Sequence, residues 1–241
     1  MKVTYIHHSS FLIELDHAVF LFDYFQGKIP EIDRKKPLFV FVSHRHEDHF
    51  SPVIFDLAAS HPDITYIISD DIWENRVPEG IYGKVFFMGP GETEDFPCGK
   101  EFVRVRTYKS TDEGVAFLVD ADGKRIYHAG DLNYWYWEEN EKAENNSQKK
   151  AYSLRLKEIK AVIEEDGHIP DAAFIPVDSR LKESCYLGLL EYMKEVGAAA
   201  VFPMHTFDGG KILQEIKNNA GMRKYLGILH GTGKENESFE I

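Results

Sequence analysis

One α/β domain, rich in strand through its first half, is the fold class predicted by these 241 residues. Three observations carry the prediction. Short apolar runs, alternating or unbroken, follow one another from residue 10 to residue 129, as strands do. Apolar residues at helical spacing enter only after residue 150, where they alternate with two further apolar runs. With 43% hydrophobic residues the chain can fill a substantial core, and no linker-like stretch divides it in two. The expectation is a single domain over residues 1–241.

Taken in order, the N-terminal MKVTYIHH alternates like a strand, and SFLIELD (10–16) and AVFLFDY (18–24) flank a tight connection. LFVFVSH (38–44) is unbroken and apolar, as in a strand buried on both faces. Strands follow at 64–70, 84–89 and 101–108. Next comes a hairpin turning through Asp122-Gly123, where glycine takes the positive φ the turn needs. Two short buried strands are expected at 172–178 and 198–205. Helices are expected at 151–165 (Leu156, Ile159, Ile163), at 183–196 ahead of Gly197, and at 211–218. The polar stretch 138–150 reads as a surface loop or the exposed start of a helix.

Composition narrows the function. A net charge of -12 argues against sequence-independent binding to nucleic acid, which needs a surplus of Lys and Arg. The two cysteines, Cys98 and Cys185, lie far apart and outside any metal-binding spacing. The N-terminus lacks the apolar core of a signal peptide, and no window approaches a membrane span. A cytoplasmic protein acting on a small molecule, away from nucleic acid and membrane, is expected.

Chemistry concentrates in SHRHEDHF (43–50). His44, His46, Asp48 and His49 fall within six positions after a buried strand, and a loop has no packing reason to gather imidazoles. Asp131, Asp178 and His205 also follow the carboxyl ends of apolar strands, where the loops of α/β sheets collect ligands. Imidazole and carboxylate without thiolate suit Zn2+, Mn2+ or Fe2+. Zinc is favoured for hydrolysis, because it makes water nucleophilic at neutral pH.

His44-Arg45-His46-Glu47-Asp48-His49, with Gly130-Asp131 after a later hairpin strand and Pro203-Met204-His205 near the end, resembles the metallo-β-lactamase-fold superfamily. HHSSFLIEL, FLFDY and RIYHAGD are similar to its branch of broad metal-dependent hydrolases, which includes ascorbate-6-phosphate lactonase and a phospholipase D acting on N-acyl-ethanolamine phospholipids. The resemblance implies a four-layer αβ/βα sandwich with a binuclear site at the strand ends. By the same resemblance His44 and His46 hold one metal, Asp48, His49 and His205 the second, and Asp131 bridges them. Asp48 and Asp131 are the expected catalytic carboxylates, Asp48 orienting a metal-activated water.

The sequence departs from that pattern at one point. The superfamily supplies another histidine between the hexapeptide and the bridging aspartate, and here that interval holds only His61, before a turn at Pro62, and His128, inside a hairpin strand. Asp112, in KSTDEG directly after strand 101–108, is the candidate to offer a carboxylate instead, although Ser110-Thr111-Asp112 also reads as a turn motif. Asp178 and Arg180 are expected near the substrate, Arg180 as a clamp for phosphate or carboxylate and Asp178 as a supporting partner behind the groups that make direct contact. One of His7 and His8 is expected to face the pocket, and Trp135, Tyr136 and Trp137 either wall it or pack in the core. The leading expectation is a hydrolase of an ester, lactone or phosphodiester. Its alternatives are a nuclease of the same fold and a non-catalytic metal sensor.

Overall fold

The computed structural model describes residues 1–241. Its first sheet is built from β1 (Lys2–His7), β2 (Ser10–Glu14), β3 (Val19–Phe22), β4 (Leu38–Val42), β5 (Ile64–Ser69) and β6 (Val85–Met88). The second consists of β7 (Thr93–Cys98), β8 (Glu101–Lys109), β9 (Val115–Ala121), β10 (Lys124–His128), β11 (Ala172–Pro176) and β12 (Ala200–Met204). A last strand, β13 (Ser238–Glu240), returns to pair with β1. The orders are β13-β1-β2-β3-β4-β5-β6 and β12-β11-β10-β9-β8-β7.

Period-2 alternation explains why the first sheet is buried on both sides. Phe39 and Phe41 of β4 point into the core between the sheets, with Phe11, Phe20, Phe22 and, from the second sheet, Phe117. Leu38, Val40 and Val42 point the other way, onto Ile54 and Phe55. Each such side chain contributes about 2 kcal/mol by leaving water. The layer over this outer face is a 3₁₀ segment, Pro52–Ala59. Over the second sheet it is α1 (Lys142–Asp166) and α2 (Leu187–Glu195), with Tyr127 of β10 stacked on Tyr192 at 4.9 Å. A third helix, α3 (Ile212–Asn218), follows β12. Two mixed sheets flanked by helices make the expected sandwich.

Three elements differ from the sequence reading. α1 starts at Lys142, nine residues before the expected 151, because Glu141 and Glu144 form a capping box and the Asn145 amide bonds both backbone groups of Trp137 (2.7 and 3.2 Å). Of the two readings of 138–150, surface loop or exposed start of a helix, the second holds from Lys142 onward. β7 was unexpected because TEDFPC is half-exposed and contains Pro97, which an edge strand tolerates. β13 has only three residues, too few for a periodic signal.

What positions the site is strand direction. β3 to β6 run parallel in one sheet and β10 to β12 in the other, while β1, antiparallel to β2 as β2 is to β3, shares the direction of β3. The residues after β1, β3, β4, β10, β11 and β12 supply His8, Asp23, the hexapeptide, Asp131, Asp178 and His205, the last bonded from its N–H to the His8 carbonyl (3.3 Å).

Candidate metal centre

The expected residues meet around Asp131. Its Oδ1 lies 3.3 Å from both His49 Nε2 and His205 Nε2, and its Oδ2 lies 3.5 Å from His44 Nε2. His44 Nε2 is 3.0 Å from His46 Nδ1, and Asp48 Oδ2 is 3.7 Å from His205 Nε2. Two sets of potential ligand atoms, each within 4.8 Å of one another, result: His44, His46 and Asp131, and His8, Asp48, His49 and His205.

A left-handed backbone occurs at two of these residues and at Asp23 beneath them. His8, Asp23 and His205 have φ of 53°, 43° and 60°, a strained region for residues with a Cβ that persists where surrounding structure imposes it. Gly114 (φ 66°) packs directly on the hexapeptide, where a Cβ would run into the Ser43 carbonyl and His44.

Partners of the ligand rings lie deeper. Asp23 is fully buried, and its Oδ2 accepts from Ser43 Oγ (2.6 Å) and faces His49 Nδ1 at 2.7 Å. Asp178 Oδ2 faces His205 Nδ1 at 3.3 Å. Such carboxylates fix the orientation and tautomer of a ligating imidazole. The buried Asp178 also accepts from Arg180 Nε and Nη2 (3.0 and 2.6 Å), so it acts through His205 and Arg180 and has no surface for a substrate. Asp178 therefore stands behind the candidate ligands as a partner of His205 and Arg180, and Arg180 is the member of the pair that lines the cleft.

Electrostatics at the centre favour a cation. Burial works against the charge on Asp131, yet the imidazoles of His205 and His49 hold it well below the ordinary carboxylate range. Burial also opposes the His205 cation, but Asp131 and Asp178 outweigh it and raise His205 to about 9. Burial, with His49 adding to it, lowers His44 to about 4, keeping it in the neutral, ligating form. His8 Nε2, His49 Nε2 and Asp131 Oδ1 are buried without a hydrogen-bond partner. Orphaned atoms of this kind are costly in a protein interior, and divalent cations held by the two sets would satisfy them. The donor set therefore fits the metal that the motif implies.

The other expected residues fall into place around this centre. Asp112 Oδ2 is 3.9 Å from His46 Nδ1, at the rim and outside the tighter sets; burial and Asp131 raise its pKa. His46 Nε2 also lies 3.3 Å from Glu113, which pairs with Arg45. A cleft of about 340 Å³ opens over the centre, lined by His46, Asp112, Trp135, Trp137, Gln148 and Arg180 among others. The Trp135 indole donates to the Asp131 carbonyl (3.0 Å), joining cleft wall to site. His128 is buried, bonded to the Ser9 carbonyl (3.0 Å) and stacked on Phe22, while His61 faces Ser60 away from the cluster. Of the adjacent pair, His8 enters the site and His7 pairs with Glu235. Sequence reasoning missed Asp23, whose signal was a carboxylate ending a wholly apolar strand.

Comparisons with known proteins place the fold. A model of the beta-lactamase superfamily domain matches residues 2–147. A UPF0173 metal-dependent hydrolase of Alkaliphilus metalliredigens is 29% identical over 146 residues, which are 54% of this chain and 63% of that protein. The chain thus spans less than two thirds of the length of that relative. A UPF0173 metal-dependent hydrolase of Korarchaeum cryptofilum is 26% identical with both chains covered in full. Among solved structures, Igni18, a metallo hydrolase from the archaeon Ignicoccus hospitalis, superposes with a TM-score of 0.65 at 19% identity, covering 100% of this chain and 98% of that one. The domain match spans more than half the sequence, and the two sheets with their flanking helices have the same arrangement: the chain belongs to the beta-lactamase superfamily and adopts the metallo-β-lactamase fold.

Proposed function

We propose that the protein is a metal-dependent hydrolase that directs water onto an ester, lactone or phosphodiester bond of a small anionic molecule. The observation that carries this reading is the set of buried, unpartnered donor atoms converging on Asp131 beneath an open cleft. His44, His46 and Asp131 would hold one ion; Asp48, His49 and His205 would hold a second, shared through Asp131. Zinc is the proposed ion, with manganese and iron as the alternatives the donors also suit. A divalent cation supplies Lewis acidity that polarises the scissile group and makes water reactive at neutral pH.

The chain's own residues do the rest. Asp48, the part-exposed carboxylate at the cleft floor, orients the attacking water and takes its proton. Asp23 and Asp178 hold His49 and His205 in place. Arg180 is fixed by Asp178 and lies 4.0 Å over the Phe207 ring, so its remaining N–H groups form a preset clamp for a phosphate or carboxylate. Asp112 is proposed as a weak oxygen donor on the His46 side. The net charge of -12 supports a small substrate over a nucleic acid.

No helix is long and apolar enough to cross a membrane, and both cysteines are buried and unpaired. We place the protein in the cytoplasm, working as one domain whose shared core draws on both sheets.

The test is metal content together with turnover of phosphodiester, lactone and carboxylester panels. Bound metal with metal-dependent turnover is expected; less than about one equivalent after metal-supplemented purification would sink the reading. Arg180→Ala should raise KM about tenfold or more for anionic substrates and leave neutral ones unchanged.

A further inference from the structure

His8 follows β1, upstream of the hexapeptide and separated from it by β2, β3 and β4. Its ring is 7% exposed, and its Nε2 has no hydrogen-bond partner. That nitrogen lies 3.4 Å from Asp48 Oδ2 and within 4.8 Å of the donor atoms of His49 and His205. The position is imposed by its surroundings. The His8 N–H donates to Tyr5 Oη (2.8 Å), its carbonyl accepts from the His205 N–H (3.3 Å), and its ring packs against His205 and Phe207 at 4.3 and 4.7 Å. These contacts keep the backbone at φ 53°, where an imidazole-bearing residue is strained.

Two halves of the site differ accordingly. Around His49 stand His8, Asp48 and His205, with Asp131 Oδ1 3.3 Å from His49 and His205: five protein donors, four of them buried. Around His44 stand His46 and Asp131, with Asp112 set back at 3.9 Å, and His46 is 41% exposed to the cleft.

Resting on the metal-dependent reading above, we propose that His8 is a fifth protein ligand of the ion at His49. That ion is then held tightly, with its shell filled by protein donors, and the exchangeable position that meets substrate lies on the His44 and His46 side. The imidazole missing from one half of the site is balanced by an extra one in the other. Three imidazoles and two carboxylates fill a five-coordinate shell, whereas two imidazoles and one carboxylate leave positions open. His8 would then govern retention of the tight ion, and Asp112 the occupancy of the loose one.

The experiment uses the metal-free full chain titrated with cobalt(II), followed by visible absorption and competition with a chelator. Wild type is expected to bind in a tight and a weak step. In His8→Ala the tight step should weaken about 100-fold or more, with a stronger d–d band as coordination number falls, while the weak step is unchanged. Should His8→Ala fail to fold, X-ray absorption of wild type carrying one equivalent of metal decides: three imidazoles support the proposal and two overturn it. Unchanged cobalt affinities and spectrum in a folded His8→Ala protein also overturn it, leaving the hydrolase reading intact. Absence of cobalt binding by wild type would instead overturn the metal-dependent reading itself.

Discussion

The two ends of β10 both gather charge, and they use it in opposite ways. At its start, Arg125 is buried and spends its guanidinium on Asp120 and Asp166 (2.6 and 2.7 Å), with a further bond to the His168 carbonyl (2.6 Å). Beyond its other end, Asp131 sits among imidazoles with Oδ1 unpartnered. The first cluster is closed, its charges answered by one another. The second is open, its donors converging on a point that no side chain occupies. Dense polar residues thus mark a functional site only where the hydrogen bonds fail to close.

The largest effect that tests this contrast comes from Asp131→Asn at the open end. Turnover should fall about a thousandfold or more and bound metal should drop, while the metal-free protein melts only modestly lower, since His205 and His49 lose the carboxylate that faces them but the sheets stay packed. A melt that collapses would mean that both ends are structural. Arg125→Ala at the closed end should do the reverse, costing about 3 kcal/mol in urea denaturation with metal content unchanged. Asp178→Asn is intermediate. It loosens His205 without touching the ion, so metal affinity should weaken about 10- to 100-fold in a chelator competition while the fold remains.

The smallest effect is the pH dependence of the closed end. Arg125 holds the Asp166 carboxyl down to about 2. A carboxyl with a depressed folded pKa adds stability that is fully present above its unfolded value of about 3.9 and fades as the pH falls toward 2. The difference in urea midpoint between wild type and Asp166→Asn should therefore shrink between pH 5 and pH 2. Because Asp166 is half-exposed, water screens the pair and the difference should be small even at neutral pH. A difference that grows on acidification would show that Arg125 is not its partner.

Much of this contrast was legible in the chain. SHRHEDHF after the unbroken LFVFV announced a candidate ligand cluster, and Asp131 and His205 stood out because polar residues capping buried strands have no packing reason to be there. Asp23 obeyed the same rule but stood alone. Arg125 was invisible, since its partners lie 5 and 41 residues away and only the fold assembles them.

Sequence alone determined every strand but β7 and β13, because side-chain alternation and apolar runs are local properties that the backbone reads directly. It determined the identities of His44, His46, Asp48 and His49 for the same reason: their spacing lies within one loop. Tertiary structure decided which of two adjacent histidines enters the site. His7 and His8 differ in nothing that composition records, yet the turn after β1 sends one ring to Glu235 and the other to Asp48. It likewise decided that Asp112 stands back from His46 and that Asp178 is buried beneath His205 and Arg180. Distances between strand ends depend on how two sheets pack, and no local pattern encodes that packing.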